Sequence, residues 1–196
     1  MVATYQSIEA EIPGLRRYAR ALVRDLTAAD DLVQECLARA LAKLHLWHEG
    51  TDLRAWLFTI LHNQHVNHVR RGIRTGITVE LSEAKMLLSR PADQETRLEL
   101  RDLDRALGRL PAEQRAVVLL VGLEGMSYVD AAAVLGIPAG TVRSRLSRGR
   151  LALRRLMGIE TDQSDERDPT EIRARHGKAP LPPAKSAWLV PRAIAG

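Results

Sequence analysis
The chain has 196 residues, with 29 Lys+Arg against 24 Asp+Glu for a formal charge of +5, and it is 45% apolar but only 4% aromatic. Such a length admits one modest domain or two small ones. The lone cysteine, Cys36, excludes an internal disulfide framework. No uncharged apolar run approaches the roughly 20 residues needed to cross a bilayer, and MVATYQSIEAEI lacks a basic region followed by an apolar stretch; a cytoplasmic protein with no membrane insertion is expected.

Taken in chain order, residues 7–24, 28–48 and 53–72 are predicted helices, because apolar residues recur there at three- and four-residue spacing and proline falls only near one start, at Pro13. In the second, Leu32, Val33, Cys36, Leu37, Ala40, Leu41 and Leu44 form an apolar stripe, with Asp31, Gln34, Glu35, Arg39 and Lys43 largely opposite. Thr27 and the acids after it suit the positive end of that helix. Periodicity fades from Gly72 to Glu95, a mildly acidic stretch read as an inter-domain linker. It returns over 97–108 and 111–123, where Pro111 suits a helix start. From Ile159 onward a balanced mixture of charges with five prolines cannot support a packed core. That segment is expected to be a flexible tail, with Trp188 as its one large anchor.

Ser127 to Met157 carries the most specific local pattern. Ser127 suits a helix cap, with Asp130 three residues later in the position of a capping-box acid. Ala131, Ala132 and Ala133 offer small surfaces for a close helix contact. Gly136, Ile137 and Pro138 make a tight turn, and Val142, Leu146, Leu153 and Leu156 line one face of the following helix around Gly149. The other face presents Thr141, Arg143, Ser144, Ser147 and Arg148. This is a helix-turn-helix whose second helix suits a DNA major groove, with Arg143 and Arg148 the candidates for reading guanine. Charge agrees: residues 97–157 hold 11 basic against 6 acidic groups, and the six arginines between Ala139 and Met157 have no acid among them.

The first 75 residues hold a different constellation. DDLVQE exposes Asp31, Gln34 and Glu35, which suit a basic helical partner. Trp47, Trp56 and Phe58 flank a polar loop, an arrangement suited to unstacked bases, and Arg70 and Arg71 suit a phosphate backbone. Trp56, Phe58 and Leu61 equally fit core positions at helical spacing.

DDLVQE, LRAWLFTILHNQ with HVNHVRR after it, LPAEQRAVVLLVGLEGMSYVDAAAVLG and GTVRSRLSRGR, in that order over residues 8–157, resemble the bacterial sigma-70 family, specifically its extracytoplasmic-function (ECF) group. DLRAWLF adds a likeness to the general-stress subgroup. The resemblance implies an all-α protein of two small helical domains joined by a flexible linker: a region-2-like domain over 1–75, a linker over 76–96, a region-4-like helix-turn-helix domain over 97–157, and a tail over 158–196. It also implies a promoter-specificity subunit. Asp31, Gln34 and Glu35 would dock on core RNA polymerase. The loop His48, Glu49, Gly50, Thr51, Asp52 and Leu53, supported by Trp56 and Asn63, would capture a base of the minus-10 element, with Arg70 and Arg71 on adjacent phosphates. Thr141, Arg143, Ser144, Ser147 and Arg148 would read the minus-35 element. Core polymerase, promoter DNA and an anti-sigma factor are the implied partners. Asn67 stands where the family often has an acid, and receives no role.

Five of the six histidines, His45, His48, His62, His65 and His68, fall within 24 residues. His62, His65 and His68 rotate progressively around a helix, however, so no compact metal triad is formed; they are expected to be solvated or to face phosphates. No metal, cofactor, small-molecule substrate or catalytic residue is expected. A stand-alone helix-turn-helix regulator, and a sigma-like decoy that binds an anti-sigma factor, are the competing readings.

Overall fold
A computed structural model describes residues 2–48, 50–75 and 94–159. Among these, seven α-helices form two packed groups: α1 (Val2–Val23), α2 (Leu26–Ala42) and α3 (Leu53–Thr75), then α4 (Gln94–Arg109), α5 (Ala112–Val118), α6 (Tyr128–Leu135) and α7 (Ala139–Leu156). A 3-10 turn, Leu44–Leu46, comes after α2, and a π turn, Leu119–Leu123, after α5. The all-α, two-domain expectation holds. Most of the linker prediction, residues 76–93, and the tail with Trp188 lie outside the described residues, as does Glu49.

Local chemistry moves several boundaries. Helix α1 starts at Val2, ahead of the predicted residue 7, which places Pro13 deeper in its interior. Pro13 faces solvent, where water can take the carbonyl left without its i+4 donor. The N-cap of α2 is Asp25 and not Thr27: its carboxylate accepts from the Ala28 N–H at 2.7 Å. The same helix stops at Ala42, so Leu41, placed on the apolar stripe by periodicity, is 46% exposed. The predicted helix 111–123 breaks at Val118 into the π turn. Around the helix-turn-helix, Ser127 caps α6 by accepting from the Asp130 N–H at 3.1 Å and donating to its carboxylate at 2.6 Å. Gly136 ends α6 in the left-handed region, φ 64°.

Leu15, Tyr18, Leu32, Leu57, Phe58 and Leu61 fill the first helical group, and Val117, Leu119, Leu120, Val134, Val142 and Leu146 the second; all are nearly inaccessible and belong to one continuous core. Two small cores thus merge, α3 packing on α6 and α1 on the π turn. A merged core raises the fraction of apolar surface buried, which two separate domains of this size cannot match.

Candidate functional site
Three surfaces carry the residues singled out by the sequence. On α2, Leu32, Val33, Cys36 and Ala40 face inward, leaving Asp31, Gln34 and Glu35 exposed together. Glu35 is paired across to α3, 3.2 Å from His68 Nε2.

The second surface runs along α3. Thr51 closes the preceding loop, its hydroxyl donating to the His48 carbonyl at 2.8 Å, and Gly50 takes a φ of 93°. Asp52 caps α3 by accepting from the Ala55 N–H at 3.1 Å. Thr51 and Asp52 therefore shape the loop, while His48 and Gly50 are its exposed members. Leu53 and Trp56 are half-buried against the core; Phe58 and Leu61 are fully inside it. Residues seven apart on an α-helix nearly eclipse, so Trp56, Asn63 and Arg70 lie on one stripe, about 21 Å from end to end at 1.5 Å per residue. Asn63, Arg70 and Arg71 are exposed. At the far end of the stripe an open cleft of about 320 Å³ is lined by Asn67, Arg70 and Arg71 of α3 and by Arg39 of α2. Sequence patterning assigns neither Arg39 nor Asn67 a role. The available signal was Arg39 lying one turn past Glu35 on the same helix face, an opposite charge that only the fold sets beside α3.

His45 and His48 are exposed, whereas His62 and His65 are half-buried. His62 Nδ1 lies 3.0 Å from the Tyr18 hydroxyl. Burial lowers the pKa of both His62 and His65 to about 4, with His65 further depressed by His62, Arg115 and His68. Both are half-buried, and that burial favours their neutral form. Among the described residues no group of three His, Cys, Asp or Glu side chains is disposed to hold a metal. Cys36 is buried with its thiol 3.5 Å from the Leu57 carbonyl.

The third surface is α7. Arg143, Ser147 and Arg148 are exposed and Thr141 and Ser144 half-buried, the Ser144 hydroxyl donating to the Thr141 carbonyl at 3.1 Å. The Arg143 guanidinium sits 5.7 Å from the Tyr128 ring centroid, which steers it from α6. Arg145 pairs with Glu113 of α5, so the helix without acids gains one through tertiary contact. Val142, Leu146 and Gly149 are buried; a Cβ on Gly149 would meet the Val118 methyl at 2.7 Å, so only glycine lets α5 and α7 approach this closely. Leu156, placed on the buried stripe by periodicity, is 40% exposed.

Known proteins share this arrangement. Residues 8–62 match the family described as the Sigma2 domain of PhyR, and residues 100–153 match Sigma-70, region 4. The ECF RNA polymerase sigma factor EcfG of Rhodopseudomonas palustris is 42% identical over 153 residues, 78% of this chain and 84% of that protein. SigM of Mycobacterium tuberculosis is 35% identical over 144 residues, 74% of this chain and 71% of that one. The solved structure of the sigma factor RpoE in complex with the anti-sigma factor NepR from Bartonella quintana superposes with a TM-score of 0.71 at 37% identity, covering 82% of this chain and all of that one. With its two helical domains in the order of sigma regions 2 and 4, the chain belongs to the ECF group of the sigma-70 family of RNA polymerase sigma factors.

Proposed function
We propose that this sigma factor docks on core RNA polymerase through Asp31, Gln34 and Glu35, captures the non-template strand of the minus-10 element along α3, and reads the minus-35 element with the exposed face of α7. The observation that carries the reading is the α3 stripe. It joins an aromatic and amide end, Trp56 and Asn63, to a cationic end, Arg70 and Arg71, where Arg39 and Asn67 complete the cleft. A stacked, splayed base gains roughly 1–3 kcal/mol, offsetting its lost pairing, and the guanidiniums hold the neighbouring phosphates. No bond to a protein side chain forms or breaks. Arg143 and Arg148 reach guanine edges, while Arg150 and Arg154 suit flanking phosphates. Tethering both modules to one polymerase gives each a high effective concentration, so neither must bind tightly alone.

The site of action is the cytoplasm, with the polymerase. Because the similar RpoE is bound by NepR, an anti-sigma factor is the expected regulatory partner here as well. A decoy role is the second reading, favoured by the match of residues 8–62 to the Sigma2 domain of PhyR; the exposed Arg143 and Arg148 argue for retained DNA recognition. Transcription from linear promoter templates by purified core polymerase, with and without the protein, separates these. Promoter-specific initiation that depends on the protein is expected, and its absence would leave the decoy reading standing.

A further inference from the structure
The cations of α7 are spread unevenly about its axis. Successive residues of an α-helix turn by about 100°, so Arg143, Arg150 and Arg154 fall on one side of α7, about 90° from the centre of the set Ser144, Ser147 and Arg148. Arg145 falls on the other side, about 110° from that centre. The positions stacked with it further along the helix, Gly149, Ala152 and Leu156, carry no charge. Neighbouring helices mark the two sides. Tyr128 of α6 stands by the first, against Arg143. Helix α5 stands by the second: a Cβ on Gly149 would meet the Val118 and Gln114 side chains, and Glu113, next to Gln114, forms an ion pair with Arg145. The Glu113 side chain is 69% exposed and that of Arg145 only 24%, so the carboxylate is the outer member of the pair. A polyanion approaching this side of α7 meets an acid first.

This asymmetry has a consequence in a DNA groove. A helix with its side chains is about 10–12 Å across and the major groove is about 12 Å wide. Seated with Ser144, Ser147 and Arg148 toward the base edges, α7 fills the groove, and its two sides face the phosphates of opposite strands. The first side brings Arg150 and Arg154 to one strand. The second brings Arg145 and Glu113 together, a pair with no net charge, to the other. Counterion release, and with it phosphate affinity, follows the net positive charge delivered to the backbone. Even if Arg145 turns toward a phosphate, the Glu113 carboxylate stays beside it and offsets the gain.

We propose that Glu113 is a positioning residue for minus-35 recognition: by cancelling Arg145 it confines the phosphate grip of α7 to one strand of the element. This role rests on the reading of α7 as the minus-35 helix. Phosphate-ethylation interference on promoter DNA bound by the reconstituted holoenzyme, scored separately on each strand of the minus-35 element, tests it, together with salt titrations of the same complexes. Glu113→Gln keeps the size of an exposed side chain and removes its charge. The variant should gain interference at one phosphate on the strand facing Arg145, and its log affinity should fall more steeply with log salt, the slope growing by about 0.9, the value for one added contact on duplex DNA. Glu113→Gln combined with Arg145→Ala should lose both gains and return to the wild-type pattern and slope, which a merely structural role for Glu113 does not predict. A Glu113→Gln holoenzyme that binds more weakly, or in which either measure matches the wild type, overturns the role of Glu113, as does a double variant that keeps the gains. Wild-type holoenzyme that initiates at the promoter but shows no interference anywhere in the minus-35 element would instead overturn the reading of α7 itself.

Discussion

Arg54 donates to both the carboxylate and the main-chain carbonyl of Glu124, at 2.7 and 2.9 Å, across 70 residues of sequence. One side chain thus bonds the charge and the backbone of the turn that leads into α6 and α7. Burial pushes the Glu124 carboxyl above its ordinary range, with Arg17 and Arg54 pulling the other way. The pair is therefore sensitive to loss of either partner.

Arg54→Ala strands a fully buried carboxylate with one guanidinium fewer and leaves a carbonyl without its donor. A loss of about 2–4 kcal/mol in unfolding free energy is expected. Arg17→Ala, at a side chain 54% exposed, should cost about 1 kcal/mol or less. Urea titrations monitored by circular dichroism rank the two, and equal effects would contradict the asymmetry.

Replacing Arg143 or Arg148 with Ala is expected to relax minus-35 discrimination by about 1–3 kcal/mol at one base position each. Tyr128→Leu removes the ring that steers Arg143 and should lower discrimination at the Arg143 position alone. Selection from a randomised minus-35 library by the reconstituted holoenzyme reads all three, and an unchanged consensus would exclude this face of α7 from base reading.

Arg39→Ala should weaken holoenzyme binding to a single-stranded minus-10 oligonucleotide and reduce the slope of log affinity against log salt by about 0.7, the value for one lost phosphate contact on a single strand. Asn67→Ala should weaken binding with no change in slope. An unaltered slope in the Arg39 variant would remove that residue from the strand's path.

Burial holds His62 and His65 at a pKa of about 4, below the ordinary 6.5. Between these values the unfolded chain binds more protons than the folded one. Stability is therefore expected to be level above pH 6.5 and to fall as pH drops toward 4. The groups facing this pair are Tyr18, His68 and Arg115. Melting temperatures across that window check the sign, and a His62→Phe variant should flatten the decline.

Burial also pushes the Cys36 thiol up to about 12. With almost no thiolate at pH 8 and no access, the native protein should react with thiol reagents at least about 100-fold more slowly than the unfolded chain. Fast labelling of native protein would reopen a redox role for Cys36.

Local signals read from sequence were those whose physics is local. Ser127 and Asp130 cap α6 because a hydroxyl three residues before an acid meets it within one helical turn. Gly136 ends that helix because only a residue without Cβ enters the left-handed region cheaply. The exposed set on α7 and the Asp31, Gln34 and Glu35 face came from the 3.6-residue period. That period misplaced Leu41 and Leu156 because it carries no information on where a helix loses its partner.

Sequence alone determined the helical content, the two-domain order, the helix-turn-helix and which polar residues of α2 and α7 face outward, since each depends on residues within a few turns of one another. Tertiary structure alone decided that Arg39 joins Asn67, Arg70 and Arg71, that Glu113 pairs with Arg145, that His62 and His65 are half-buried, and that Glu124 bonds to both Arg17 and Arg54 of the first domain. Those relationships span tens of residues, and charge pairing carries no sequence period. An acid between Leu123 and Gly125 looks like any surface loop residue until packing removes the water around it.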